Sequence, residues 1–496
     1  MKNIIRALLC GLSLLVCSCI GDNGNYDYLS TDEVFPVRIS GMEKSIKVSQ
    51  GAVLRLSPVI EHDDPTHFTY SWVATEKETA GKLPERYDLA ETKDLDYTVK
   101  LDVGDYLLNF KVYDKEKDLF KRYEINLTVV ASPVGAGWYV LKDDGSQTDF
   151  DFIDGNGTVY ADLLAGAGNR PKGTALNMAY QDGRYYHVEY DASGKATTLV
   201  NQTAFFITTT QDIRTYNAKT LKLFKTFKEQ FYTAPETVKP VAVYHVNMGN
   251  TFLQNDGKIY SIYGMSSNIG KFTAAKVGVY RLYDGFIPAS YDRVMVFDNE
   301  SHTFYFASSM SDRLIDVPEL PGGEEGSISF ANMPYSVVCM GMNTDKYDGY
   351  SYVVMKNDAT GSGAIGHVQA MGGGFDSFKL LPVGSKLLQA DLIAPSFTAD
   401  FLYFTVPGEN KVYAYENAEG AQPKVILEYA ADESVAFIKH VRNGELNVLA
   451  VLTNTSEGWK LYQYDLIGES NPEIIPTPTM TFKGTEKGRY IMYRPS

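Results

Sequence analysis

Short segments in which hydrophobic and polar residues alternate run along most of the chain, and no long helical pattern separates them. Residues 68–73 and 106–112 are two such segments from the first part of the sequence. Strands of this length, separated by turn residues within roughly 100 residues, are typical of a small β-sandwich. We therefore predict a β-sandwich over residues 34–131 and an all-β fold for the whole chain.

A second pattern repeats through residues 138–496. A hydrophobic strand is followed by a Gly or Asn turn and then by lysine, an aliphatic residue and tyrosine, as at residues 256–263, 409–415 and 458–464. These hairpins recur at roughly 45–50 residues, which is the size of a four-stranded propeller blade. The pattern predicts a β-propeller of seven blades, with eight blades as the alternative.

A linker at residues 132–137 separates the two patterns. Its small residues and its proline interrupt any strand ladder. Two or three consecutive sandwiches are the competing arrangement for residues 138–496. They would require further Gly/Pro linkers of the same kind, and the sequence contains none.

The N-terminus has the composition of an export signal. Two cations precede an apolar stretch at residues 7–16, which is too short for a permanent membrane-spanning helix. Residues 16–19 read Val-Cys-Ser-Cys, with an aliphatic residue at −3, small residues at −2 and −1, and cysteine at +1. This resembles the bacterial lipobox, in which the +1 thiol receives a diacylglycerol. We predict a signal peptide over 1–18 and lipidation of Cys19; an ordinary signal peptide is the alternative.

Residues 19–33 are small and polar at first and show no apolar periodicity, so we predict a flexible tether after the lipid. The aspartate at position 22 resembles the acidic surface-export signals of Bacteroidetes lipoproteins. Three of the four cysteines lie at positions 10, 17 and 19, which leaves Cys339 without an intramolecular partner. It lies in an apolar run and is predicted to fill space in a core strand.

The chain is acidic, with a formal net charge of −15, and removal of Lys2 and Arg6 with the signal peptide takes it to −17. No Lys/Arg cluster interrupts this acidity, so nucleic acid is not an expected partner. Tyrosine is abundant, at 35 residues. It suits strands and is also a preferred contact residue at binding surfaces.

The motifs that could carry chemistry lack the sequence context that each requires. Residues 360–366 contain G-x-G-x-x-G, but the glycines that follow at 372–374 leave no room for the helix of a dinucleotide site. Residues 149–157 resemble a calcium loop, and the D-x-D-x-D-G spacing fails by one residue. The seven histidines form no zinc motif, and no nucleophile elbow occurs. We predict no catalytic, cofactor-binding or metal residues, with calcium as a minor alternative.

Two motifs in the first region resemble a known domain. Tyr70-Ser71-Trp72 is followed by Gly104-Asp105-Tyr106, which opens a strand that ends at Asp114. This pattern resembles the PKD domain, an immunoglobulin-like sandwich common in surface proteins. Lipobox, sandwich and propeller-like region, in this order, resemble the PKD-like family of Bacteroidetes lipoproteins.

The resemblance implies a function. Such lipoproteins accompany SusC/SusD-type outer-membrane importers, so we expect a non-catalytic accessory component that binds a glycan or a peptide. The expected location is the outer membrane, with Cys19 as the anchor and the protein facing the cell exterior. A propeller-type polysaccharide hydrolase or lyase and a purely structural surface protein are the alternatives, and no cofactor is expected.

Overall fold

The computed structural model describes residues 31–495 except 51–52, 63–65, 78–83, 131–133, 167, 191–193, 266–268, 323–325, 344–349, 370–372, 398–399 and 469–472. The predicted signal peptide and Cys19 lie outside the described residues. The described chain is all-β, as predicted, with only short helices. It forms two compact units. One comprises the described residues of Met1–Lys47, Arg55–Tyr97 and Gly104–Thr128, and the other those of Val48–Leu54, Thr98–Val103 and Val129–Ser496.

The described residues of the range 31–130 form one helical turn and nine strands. A five-stranded sheet has the order β2–β9–β8–β5–β6, while β1 pairs with β4 and β3 with β7. The elements are α1 (Thr31–Val34), β1 (Arg38–Ser40), β2 (Ser45–Ser49), β3 (Val53–Leu56), β4 (Val59–Glu61), β5 (Phe68–Glu76), β6 (Arg86–Ala90), β7 (Leu95–Thr98), β8 (Gly104–Asp114) and β9 (Leu119–Val130).

Trp72 is the largest buried side chain of this region. It lies on β5 opposite Phe110 of β8, and the two ring centroids are 4.5 Å apart. Its indole N–H donates to the carbonyl oxygens of Thr92 and Lys93, at 3.1 and 3.2 Å. The alternation of buried and partly buried positions along β8 explains the period-2 pattern of the sequence, because only one face of this strand is fully buried.

The second region forms seven sheets within the described residues, which we number I to VII along the chain. Sheets II to VI each take three or four consecutive antiparallel strands. They comprise II, β13 (Ala175–Tyr190), β14 (Ala196–Thr209), β15 (Ile213–Asn217), β16 (Leu223–Lys225); III, β17 (Pro240–Asn247), β18 (Asn250–Asn255), β19 (Lys258–Ile262); IV, β20 (Ile287–Ser290), β21 (Arg293–Asp298), β22 (Thr303–Ser308), β23 (Leu314–Asp316); V, β24 (Ser336–Met342), β25 (Tyr350–Lys356), β26 (Gly363–Gln369), β27 (Gly374–Leu381); and VI, β28 (Leu392–Pro395), β29 (Phe401–Thr405), β30 (Lys411–Glu416), β31 (Lys424–Glu428).

Sheets I and VII contain the ends of this region. In sheet I the last strand of the chain, β37, pairs antiparallel with β10, so that Gly137 lies opposite Arg494. In sheet VII both β35 and β36 pair with β34. The strands are, for sheet I, β10 (Gly137–Asp143), β11 (Thr148–Ile153), β12 (Val159–Tyr160) and β37 (Lys487–Arg494), and for sheet VII, β32 (Ser434–Asn443), β33 (Leu446–Asn454), β34 (Trp459–Ile467), β35 (Glu473–Ile474) and β36 (Met480–Gly484); the short helices are α2 (Leu163–Gly166) and two 3₁₀ turns, Lys228–Gln230 and Lys386–Gln389.

Each sheet shares a hydrophobic core with the next one along the chain, and sheet VII shares one with sheet I. Neighbouring residues of one strand contribute to different cores. On β14, Phe205 and Ile207 pack toward sheet I, whereas Phe206 packs toward sheet III. Because both faces of such strands are buried, they read as continuous hydrophobic runs rather than as strict alternation. The three repeat copies predicted from sequence coincide with β19, β30 and β34, the third strands of their sheets.

Buried Lys225, at the end of β16, permits a stability prediction. Its ammonium donates to the Tyr185 hydroxyl at 2.7 Å, and no carboxylate of the described residues forms an ion pair with it. Burial, together with the nearby charge of Lys271, lowers the pKa of Lys225 to about 7. Between about pH 7 and 10.5 the unfolded chain therefore binds a proton that the folded chain does not bind, and stability rises with pH across this window.

Lys225→Met is expected to stabilise the protein at pH 7 by about 1–4 kcal/mol, because it removes a buried charge that lacks a carboxylate partner. The gain should be smaller at pH 9. Urea unfolding at both pH values measures the difference. Lys222→Met is the control, since Lys222 is half-exposed and pairs with Glu189. The same dependence of stability on pH in Lys225→Met and in the unchanged protein would contradict the prediction.

Candidate functional site

A large cavity lies among the end strands of the seven sheets. Its volume is about 1130 Å³. In each sheet, one edge strand or the residues just before it line the cavity. This edge strand is the first strand of the sheet along the chain in sheets II to VII, and it is β37 in sheet I. We call these the inner strands; they are β37, β13, β17, β20, β24, β28 and β32.

The charged groups that line the cavity balance one another. Three cations and three carboxylates contribute to the walls, although the whole chain has a net charge of −15. A wall without net charge suits a ligand that is neutral or carries both charges, because a polyanion or polycation would meet an equal number of repelling groups. The charged lining residues are Asp182, Lys239, Asp284, Asp391, Lys439 and Arg494.

Four aromatic side chains connect inner strands of different sheets, and we call them the aromatic bridge. Phe437 lies 4.6 Å from Tyr490, between ring centroids, and Tyr244 lies 5.1 Å from Phe286. The Tyr244 hydroxyl is hydrogen-bonded to Tyr490, which joins the two pairs. Burial and the neighbouring Tyr490 raise the pKa of Tyr244 well above its usual value, although Lys439 opposes this shift. The phenol therefore stays protonated near neutral pH, with its proton directed to Tyr490, and its oxygen can accept a hydrogen bond from a ligand.

His245 is the histidine of the cavity wall. Its Nε2 lies 3.8 Å from a carboxylate oxygen of Asp182, and its Nδ1 lies 3.3 Å from the Thr251 hydroxyl. Burial lowers the pKa of His245 to about 4, although the Asp182 charge opposes the shift. The imidazole is thus neutral at pH 7, and it acts as a hydrogen-bonding group rather than as a cation.

Arg494 and Tyr180 form a further contact on the wall. The guanidinium carbon lies 4.3 Å from the centroid of the tyrosine ring. A planar cation stacked on an aromatic face keeps its N–H groups directed outward along its edge. This arrangement supplies donors to the cavity while the ring holds the side chain in place.

The structure also locates the motifs that the sequence analysis rejected. Residues 363–369 form strand β26 and not a helix, so the glycine-rich segment does not make a dinucleotide site. Asp149 accepts hydrogen bonds from the backbone N–H groups of Leu164 and Ala165, at 2.8 Å each, and Asp151 pairs with Lys142. These carboxylates are therefore occupied by protein groups. No group of three or more His, Cys, Asp or Glu side chains in the described ranges is arranged to hold a metal.

Several residues singled out from sequence are packing residues. Trp459 and Tyr185 are both buried in cores between sheets. Cys339 is buried on β24, as expected for a strand residue that fills space, and burial raises the pKa of its thiol. No helix in the described part of the chain is long and apolar enough to cross a membrane.

Sequence reasoning missed the residues of the cavity. They lie between positions 176 and 495 and share no local motif. Their common property is a place on the inner strand of a sheet. The sequence signal that could have indicated them is the hydrophobic strand that precedes each repeat copy. This is the second strand of its sheet, and the strand before it in the chain is the inner strand.

Comparison with known proteins bears on both regions. The sequence model of the PKD-like family matches residues 19–178, which supports a PKD-like domain in the N-terminal part of the chain. No match is found among curated proteins.

Solved structures resemble the chain at 9–12% identity. The dihydro-heme d1 dehydrogenase NirN has a TM-score of 0.38, with 87% of this chain and 80% of that chain covered. A hypothetical selenium-binding protein from Sulfolobus tokodaii has a TM-score of 0.44, with 73% and 94% covered. A 6-phosphogluconolactonase-like protein from Bacteroides uniformis has a TM-score of 0.37, with 70% and 99% covered.

Proposed function

We propose that this protein is a surface-exposed outer-membrane lipoprotein that binds a glycan or a peptide without catalysis, as an accessory component of a SusC/SusD-type uptake system. The main support for this proposal is the cavity lined by the inner strands, which we call the central cavity. Its volume of about 1130 Å³ is slightly above the roughly 300–1,000 Å³ that is typical of small-molecule sites, so it has room for an oligosaccharide or a short peptide. Tyrosines, cations and carboxylates line it together, which is the composition of a recognition site.

The fold proposal is a seven-bladed propeller with the cavity as its central channel. Its support is the cyclic order in which the seven cores join the seven sheets, together with the pairing of β37 and β10 that joins both ends of the region. Consecutive sandwiches would not give one shared core for each successive pair of sheets.

Hydrolase or lyase activity has little support in the cavity. His245 and Asp182 are a close pair of histidine and carboxylate in the described wall, at 3.8 Å. The side chain of Asp182 is 74% exposed. General acid–base groups act in sites that exclude water, and this carboxylate is largely open to solvent.

Co-purification tests the proposed association. The tagged full chain, extracted with mild detergent from the outer membrane of its own host, is expected to bring down an importer subunit. The Cys19→Ala variant, recovered without detergent, provides the background. Recovery of the protein alone in repeated preparations, together with no binding of oligosaccharide or peptide mixtures, would contradict the proposal.

Tyr244→Ala tests the cavity as the ligand site. The change removes the hydroxyl and one of the four rings of the aromatic bridge, and ligand affinity is expected to fall by about tenfold or more. Tyr305→Ala is the matched control, since both tyrosines pack against the same core of sheets III and IV but only Tyr244 lines the cavity. Calorimetric titration with the ligand recovered from host membranes measures the difference. Equal losses in both variants would show that the ligand binds elsewhere.

A further inference from the structure

A second, smaller cavity adjoins the central one, and we call it the side pocket. Its volume is about 260 Å³, and Lys239, Tyr283 and Asp284 line both cavities. A ligand can therefore occupy the two spaces at once. The side pocket has room for one amino-acid residue or one sugar ring. Its other lining residues are Asp256, Gly257, Arg281, Leu282 and Asn299.

The backbone holds the walls of the side pocket in place. The Asp256 N–H donates to the Lys239 carbonyl at 2.9 Å, and the Asn299 N–H donates to the Arg281 carbonyl at 2.9 Å. Gly257 has φ +68°, and a Cβ atom there would lie 3.2 Å from Cγ of Arg281. The glycine thus permits the turn and the close approach of the arginine stem. The backbone positions of Lys239, Arg281 and Asp256 are consequently fixed before any ligand binds, while their side chains are exposed.

Four charged side chains of the side pocket are unpaired. Lys239, Arg281, Asp256 and Asp284 form no side-chain hydrogen bond or ion pair with any other residue that the structure describes. Two positive and two negative groups thus face one small space without neutralising each other. A ligand group that carries both charges would complement all four, whereas an anion or a cation alone would meet two repelling neighbours.

We propose that the side pocket binds the charged end groups of a small zwitterion, an amino acid or a short peptide. Lys239 and Arg281 receive the carboxylate, and the Arg281 guanidinium can do so with two parallel hydrogen bonds. Asp256 and Asp284 receive the ammonium group. The rest of the ligand extends past Tyr283 into the central cavity. This inference rests on the proposed function, from whose two ligand classes it selects the peptide.

A neutral sugar is the competing occupant. Its hydroxyl groups could also bind to these side chains, and the ring could stack on Tyr283. A sugar does not require charges of both signs, because neutral amides and hydroxyls serve equally well. The presence of four unpaired charges in one pocket is the observation that favours the zwitterion.

Retention of a peptide mixture by the full chain tests the inference. The probes are a pancreatic digest of casein, the same digest with acetylated amino groups, the same digest with amidated carboxyl groups, and neutral dextran oligosaccharides. Ultrafiltration followed by mass spectrometry identifies what the protein retains. We expect retention of unmodified short peptides, and a decrease of at least tenfold when either end group is blocked.

Two conservative variants test which side chain binds which end group of the peptide. Arg281→Gln should remove the preference for a free carboxyl group and keep that for a free amino group, and Asp256→Asn should do the reverse. Arg313→Gln and Asp312→Asn, which change exposed charges outside both cavities, are the matched controls. Equal retention of blocked and unblocked peptides, or retention of dextran oligosaccharides alone, would overturn the inference and leave the proposed function standing. Retention of no probe would count against both.

Discussion

The Cys19→Ala variant is expected to leave the membrane fraction almost completely. The acylated cysteine is the only anchor that the sequence predicts. Two or three acyl chains hold a protein stably at a membrane, and the variant carries no acyl chain. Fractionation of cells followed by immunoblotting measures the distribution. Intact mass should show acyl groups on the unchanged protein and none on the variant.

Cys17→Ala is the control for this anchor. It alters the other cysteine of the predicted lipobox and conserves the small residue that the −2 position requires, so the protein should remain in the membrane. Shaving of intact cells with protease then tests the predicted location, because a protein on the cell exterior is digested without lysis. Membrane retention of the Cys19→Ala variant would show that another segment holds the protein.

The second large effect is expected from Asp151→Ala, a change in the contact between sheets I and VII. Lys142 and Asp151 are completely buried and form an ion pair at 2.8 Å. Trp459 donates its indole N–H to the same carboxylate at 3.0 Å. Although burial alone would lower it, the charges of Asp151 and Asp162 raise the pKa of Lys142. Removal of Asp151 leaves a buried ammonium and an unpaired indole N–H, with an expected loss of about 3–5 kcal/mol.

Asp162→Ala is the matched control, because Asp162 also pairs with Lys142 at 2.8 Å but its side chain is 52% exposed. Its removal should cost about 1 kcal/mol or less, since water replaces an exposed partner. Urea unfolding followed by tryptophan fluorescence measures the loss of stability in both variants, because Trp138 and Trp459 pack in the same core. Equal losses of stability in the two variants would mean that burial of the Lys142–Asp151 ion pair does not determine how much the pair contributes to stability.

Much of the fold could be predicted from particular residues. The alternation in residues 106–112 corresponds to the half-buried strand β8, and the Lys-aliphatic-Tyr copies correspond to third strands of sheets III, VI and VII. Cys339 lies in a core strand, as its apolar neighbours indicated. These features were accessible because strand formation and burial leave a period in the local sequence.

The cavity could not be predicted in the same way. Tyr244 and Tyr490 are hydrogen-bonded to each other, although they are 246 positions apart in the chain and belong to different sheets. Asp256 and Arg281 share the side pocket because a turn of sheet III meets the approach to sheet IV. Nothing in the sequence around any one of these residues marks it as part of a site.

The sequence by itself determined the predicted export signal, the candidate anchor at Cys19, the all-β class and the size of the repeating unit. All of these depend on residues that are close together in the chain. Only the tertiary structure decided which strand of each sheet lines the cavity, which charges pair there and which remain free for a ligand. The physical reason is that a cavity is formed by backbones packed from distant parts of the chain, and the pairing of β37 with β10 alone joins positions that are 344 to 357 residues apart.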